Sequence, residues 1–172
     1  MNIATRSAYA AILVHFFQPP TSETKMLRYG FAKNSWTNVY MTPFLITQEV
    51  KLQMFQLKII QNMLPTRRSL FRARLSESDS CRACQNEPET LPHMLFQCNI
   101  ISAFWIAFQQ RWYETTHRTF ELNECNVIHR WYDTQLKDVL NYVTLVAKYL
   151  IFCCFQDNTA VTFDRFPGPF LK

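Results

Sequence analysis

The sequence predicts a mainly α-helical protein, a small helical domain built around a C-x2-C and H-x4-C cluster with room for one short strand pair. Two observations predict it. Apolar residues recur at three- and four-residue steps, and four soft or nitrogen donors crowd into one short stretch. With 48% apolar and 15% aromatic residues in a chain of 172, burial can offset the entropy of ordering it. That length fits one domain, or one domain with a smaller appendage.

Taken in order, a first helix near 5–17 should stop before Pro19 and Pro20, because proline lacks the ladder donor and clashes with the preceding turn. A short second helix should open at Thr21 or Ser22 and run toward Phe31. "SWTNVY" then leads through Pro43 to the clearest helix of the N-terminal half. There Leu52, Phe55, Ile59 and Met63 recur at helical steps, Thr47 is the expected N-cap and Pro65 the stop. Thr66 offers a new start for about two turns, with Arg68 and Arg72 on one face and Arg67 and Arg74 on another.

Beyond the cysteine cluster, Ile101, Phe104, Trp105, Phe108 and Trp112 form an aromatic stripe of the kind that is usually core. "TFELNECNVIHRWY" is ambiguous and leaves a short strand open. The last long helix should run from Asp133 or Thr134 to about Phe155, burying Leu136, Val139, Leu140, Val143, Val146, Ala147, Leu150 and Ile151. The tail after Asp157 ends in "FPGPFLK", which should be irregular.

The net charge of +5 is unevenly placed. Between Lys51 and Cys84 stand Lys51, Lys58, Arg67, Arg68, Arg72, Arg74 and Arg82 against only Glu77 and Asp79, and the rest of the chain is balanced. A lone basic run is often just a solvated helix face, yet all of the excess lies here, where an anionic partner would be drawn. With two glycines in the whole chain, glycine-rich phosphate loops are excluded, which removes most nucleotide-binding enzymes.

Six cysteines in a secreted protein would suggest disulfides. The candidate leader "RSAYAAILVHFF" is interrupted by His15 and is followed by "QPPTSETK" without a small-x-small cleavage pattern, so it reads as an ordinary buried helix. No apolar run approaches the roughly 18 residues that span a bilayer. The expectation is an intracellular protein with reduced thiols, no membrane contact and no small-molecule substrate.

"SDSCRACQNEPETLPHMLFQC" carries Cys81, Cys84, His93 and Cys98. Two thiolates three apart at a tight turn can face one ion, and Zn2+ takes sulfur and nitrogen donors in a tetrahedron. The second pair is harder. Residues five apart on an ideal α-helix point about 140° from each other, so His93 and Cys98 can share an ion only if the helix is short and one of them sits at its entry or exit. Pro92 favours a helix start at His93, and "QNEPET" is a polar loop between the half-sites. Four protein donors leave no open coordination position, so the expected Zn2+ is structural. Unrelated free thiols and a surface histidine are the bland alternative, and iron-sulfur ligation fits the histidine worse. Cys125, Cys153 and Cys154, like His15, His117 and His129, lack companions at metal-like spacing.

The succession "SWTNVY", "KLQMFQLKIIQNMLPTRRSLF", the cysteine stretch and "FWIAF" resembles the zinc-binding domain found C-terminal to the polymerase in reverse transcriptases of non-LTR (LINE-type) retrotransposons. The resemblance is carried by Trp36, Tyr40, Phe55, Gln56, Leu64 to Thr66, Cys81, Cys84, Glu89, Thr90, His93, Cys98, Phe104 and Trp105. It is strong from about Ser35 to Trp112 and weaker in "LNYVTLVAKYLIFC". It departs at "RFPGPFLK", where family members often continue with another ordered segment. It implies a lead-in at 1–34, a reverse-transcriptase-type zinc-binding domain at 35–115 and a C-terminal helical segment at 116–172.

The implied role is binding of nucleic acid, RNA or single-stranded DNA, beside a reverse transcriptase or its remaining domains. Lys58, Arg67, Arg68, Arg72, Arg74 and Arg82 are the candidate contacts to phosphate. No enzymatic activity is expected, because "WYDTQ" lacks the second aspartate of a polymerase metal site and no endonuclease-like His, Asp and Glu set is present. The rival is a protein-interaction module that the zinc site merely shapes, docking on a polymerase or host factor through the exposed side of the aromatic helix.

Overall fold

The computed structural model describes residues 36–129 and 136–166. They form α1 (Trp36–Ile46), α2 (Val50–Ile60), α3 (Arg67–Arg72), a π-helical turn (His93–Gln97), α4 (Asn99–Thr116), α5 (Glu124–Ile128), α6 (Lys137–Gln156) and a 3-10 turn (Phe163–Arg165). The mainly helical expectation holds. The strand pair reduces, among the described residues, to a single antiparallel bridge between Ser80 and Pro88. It lies beside the cysteines, whereas the ambiguous 119–132 segment carries α5. The two helices expected before residue 32 lie outside the described residues.

Several boundaries move for local reasons. α1 was not expected, since Pro43 sits inside it. The ring leaves only the carbonyl four residues back without its ladder partner. α2 begins after Glu49, not Thr47, whose hydroxyl instead accepts the Glu49 N–H at 3.1 Å. It also ends well before Pro65. Asn62 turns left-handed (φ 55°), and the Met63 N–H returns to the Lys58 carbonyl at 2.8 Å, a Schellman end that leaves Met63 64% exposed rather than in the apolar stripe.

The core gathers where the helices meet the π-helical turn. Met94 and Leu95 of that turn have no exposed surface, and the turn packs against α4, α5 and α6 together. On α4 the expected stripe of Ile101, Phe104, Trp105, Phe108 and Trp112 is buried throughout. The Trp105 indole N–H donates to the Leu95 carbonyl at 2.8 Å, so the largest core side chain also satisfies a carbonyl of the turn. Of "FPGPFLK", expected to be irregular, only Phe166 falls among the described residues, and a 3-10 turn precedes it. Phe163 and Phe166 pack on Phe104, with ring centroids 5.7 and 6.3 Å away.

α6 differs most from its sequence reading. Leu136 and Val139 are both 46% exposed, while Asn141, Thr144 and Lys148 are buried. Against the expectation from apolar run length, α6 is long and apolar enough by composition to cross a membrane. Its mean hydropathy is 1.5 over a window of which 56% is buried inside the fold. Phe55 of α2 packs on its Tyr149 and Phe152, with centroids 5.1 and 5.4 Å away.

Beneath them a polar chain ties three helices. Lys148 donates to the Gln56 side-chain oxygen at 2.6 Å, and the Gln56 amide donates to the Ile128 carbonyl at 2.9 Å. Burial pushes the Lys148 ammonium down to about 7. Burial and then the neighbouring Lys148 charge push His129 down to about 4.

The unfolded chain keeps the Lys148 proton up to about pH 10.5, and the folded chain releases it near 7. Between those values the unfolded state binds the extra proton, so stability should rise with pH across that window and be flat in this respect below it. One such proton contributes about 1.4 kcal/mol per pH unit. Urea unfolding across the window should show the rise in the wild type and its loss in Lys148→Met. An equal slope in the two proteins would place the proton elsewhere.

Candidate metal centre and arginine helix

Cys81 and Cys84 come from a narrow turn closed by three backbone bonds. The Cys81 N–H meets the Glu87 carbonyl at 2.7 Å, the Gln85 N–H meets the Cys81 carbonyl at 2.9 Å, and the Glu89 N–H meets the Asp79 carbonyl at 2.7 Å. Gln85, just past Cys84, is left-handed (φ 58°) and reverses the chain. His93 and Cys98 come from the π-helical turn. There the Cys98 N–H bonds the His93 carbonyl five residues back, at 3.0 Å. That ring resolves the obstacle raised by the spacing. A hydrogen bond between residues five apart stacks them on one side of the turn, where an α-helical bond would have driven them apart. Cys98 is also the exit residue, in extended conformation.

The four donor atoms lie within 4.8 Å of one another. A Zn2+ tetrahedron needs sulfur–sulfur edges of about 3.8 Å and sulfur–nitrogen edges of about 3.6 Å. The Cys81 and Cys98 sulfurs are 3.9 Å apart, and the Cys84 sulfur is 3.3 Å from His93 Nε2. The donor set therefore fits a zinc ion, and its sulfur-rich chemistry disfavours calcium or magnesium. With Nε2 turned toward the sulfurs, the other ring nitrogen, Nδ1, lies 3.2 Å from a Glu87 carboxylate oxygen. That contact lacks hydrogen-bond geometry, so among the described residues buried Nδ1 has a nearby carboxylate but no hydrogen-bond partner.

Electrostatics separate the thiols. Burial pushes Cys81 up to about 12 and raises Cys98 as well. Burial works in the same direction on Cys84, but the Asn86 and Glu87 amides, then His93 and Cys81, overcome it and bring that thiol down to about 6. All six cysteines are free thiols, and Cys125, raised to about 11 by burial and by Glu124, stands apart from the cluster.

α3 adjoins this turn and fully buries none of its side chains, so polar bonds do much to hold it. Thr66 caps it, accepting the Ser69 N–H, while the Ser69 hydroxyl accepts the Thr66 N–H in return. The deeper anchor is Glu89, whose side chain has no exposed surface. One of its oxygens accepts the Arg67 N–H at 2.8 Å, and the other accepts the Arg82 N–H at 3.0 Å. Sequence reading gave Glu89 no task, although it belongs to the quoted ET pair. A carboxylate in a polar loop carries no local sign that it will be buried. Gln56 and Lys148 were missed for the same reason.

The basic residues divide. Arg82 points inward, 3.6 Å from Glu89, and donates to the Phe155 carbonyl at the end of α6 at 2.7 Å. Arg74 falls beyond α3 in left-handed conformation (φ 60°), so it does not share a helix face with Arg67. Arg68 and Arg72 keep their shared face, Arg72 and Arg74 are exposed, and Lys58 is exposed on α2. Among the described residues, Arg68, Arg72 and Arg74 join no ion pair.

A helical fold organised on a cluster of three cysteines and one histidine defines a small zinc-binding domain. Residues 21–105 match the family model described as zinc-binding in reverse transcriptase, and this stretch holds all four donors and α3. The match starts upstream of Ser35 and ends at Trp105. No curated protein and no solved structure matches the chain.

Glu89→Gln keeps one acceptor and turns an NH2 toward a backbone donor. The variant should lose about 1.5–3 kcal/mol in denaturant unfolding, with amide protection falling first in α3. Unchanged protection of α3 would remove Glu89 as its anchor.

Proposed function

We propose that the chain is a structural zinc-binding and nucleic-acid-binding domain derived from a non-LTR, LINE-type reverse transcriptase, acting on RNA or single-stranded DNA beside that polymerase. One observation carries the reading. Four clustered donors share the Glu89 anchor with a helix that carries Arg68 and exposed Arg72, neither of them in an ion pair among the described residues. In this reading Cys81, Cys84, His93 and Cys98 hold Zn2+, and the ion supplies folding energy rather than chemistry, since four protein ligands leave no open position. Arg67, Arg68, Arg72 and Arg74, with Lys58 on α2, contact phosphates, while the inward-facing Arg82 braces the turn against α6. Neither polymerase nor endonuclease activity belongs to this chain, and its reduced thiols suit an intracellular setting.

A second reading, a protein-interaction module, draws on the apolar side chains left exposed on α1 and α2, among them Phe44, Leu45, Val50 and Met54. Binding to oligonucleotides without any partner separates the two.

Two measurements test the first reading. Cys98→Ser should lower zinc content and thermal stability together, and an unchanged zinc stoichiometry would exclude Cys98 from the site. Replacing Arg68 and Arg72 together by glutamine should flatten the dependence of RNA affinity on salt by roughly two counterions' worth of slope. An identical slope would exclude both as phosphate contacts.

A further inference from the structure

We infer that Phe71 is a stacking platform for an unpaired base, which makes the arginine helix selective for single-stranded over duplex nucleic acid. The inference rests on the reading that the arginines bind phosphate, and it goes beyond that reading by naming the strand state and a residue that carries no charge.

Phe71 is 47% exposed on a helix that buries no side chain. A core role therefore does not account for it. Its neighbour Leu75, 75% exposed, has a local explanation. Its N–H closes the end of α3 on the Leu70 carbonyl at 2.9 Å, and a Schellman end commonly places an apolar residue at that position. Phe71 has no such duty. It stands three residues after Arg68 and four after Arg67, the spacings that share a helix face, and directly before Arg72. The element is fixed at its start by the Thr66 cap and by buried Glu89, so ring and guanidinium groups are presented from a rigid base. An aromatic face among cations that lack acidic partners matches a strand whose backbone is anionic and whose bases expose π-faces. In a duplex those faces are already stacked and out of reach.

The test uses the full chain with a short oligoadenylate RNA carrying 2-aminopurine, and the same strand in a duplex. Phe71→Ala should weaken single-strand binding roughly 5- to 150-fold and leave the salt slope and duplex affinity near wild type, because stacking releases no counterions. Phe71→Trp should restore the affinity and the quenching of 2-aminopurine, while Phe71→Leu, similar in bulk but without a π-face, should not. If Phe71→Ala binds the single strand like the wild type while the Arg68 and Arg72 double variant still flattens the salt slope, the stacking role is wrong and the phosphate reading survives. If the wild type binds neither nucleic acid even at low salt, the phosphate reading fails, the inference fails with it, and the patch belongs to a protein contact. Equal losses on single strand and duplex, with a flattened slope, would show that Phe71 merely positions the arginines, and would also overturn the inference.

Discussion

One hydrogen bond organises this molecule, the bond from the Cys98 N–H to the His93 carbonyl five residues earlier. It widens a single helical turn so that its first residue and its exit residue both reach the sulfurs of Cys81 and Cys84. The same widening turns Met94 and Leu95 fully inward, where the turn meets α4, α5 and α6. Donor placement and core packing are therefore one geometric fact. A loosened core would spread the donors, and a bound ion would in turn brace the core.

Glu89 carries that order outward. A carboxylate without exposed surface accepts backbone donors from α3 on one side and from the cysteine turn on the other. Arg82, lying against it, reaches on to the last turn of α6. Satisfying all of these groups at once is what makes the burial of a charge tolerable. The outcome is a short helix with no fully buried side chain, which leaves Phe71 and Arg72 exposed to a partner.

Much of this was legible in the residues. The helical periods of α2, α4 and α6 follow from apolar spacing, and the stripe on α4 is buried as its pattern implies. The spacing of the four donors pointed to a shared site, though it could not say how His93 and Cys98 would meet, because a π-helical turn has no propensity signal of its own. α1 was hidden by Pro43, which is a helix breaker by rule and is tolerated here at the loss of one ladder bond. The rotation of α6 was hidden by Lys148. Periodicity assigns a lysine to solvent, and only the Gln56 oxygen from a distant helix makes its burial acceptable. The inward turn of Arg82 likewise depends on an acceptor more than seventy positions away in the chain.

The corners of the fold carry side chains where most proteins would use glycine. Asn62, Arg74, Gln85, His117, Leu136 and Asn158 all adopt positive φ angles, between 53° and 62°. The two asparagines suit that region, while arginine and leucine enter it against a steric penalty of roughly 1–2 kcal/mol each. In exchange the denatured chain lacks the extra freedom that glycine would lend it, which lowers the entropy surrendered on folding. The molecule thus trades strain in the native corners for restraint in the disordered state. Its reversals also keep functional side chains at places where glycine would offer none, the guanidinium of Arg74 among them.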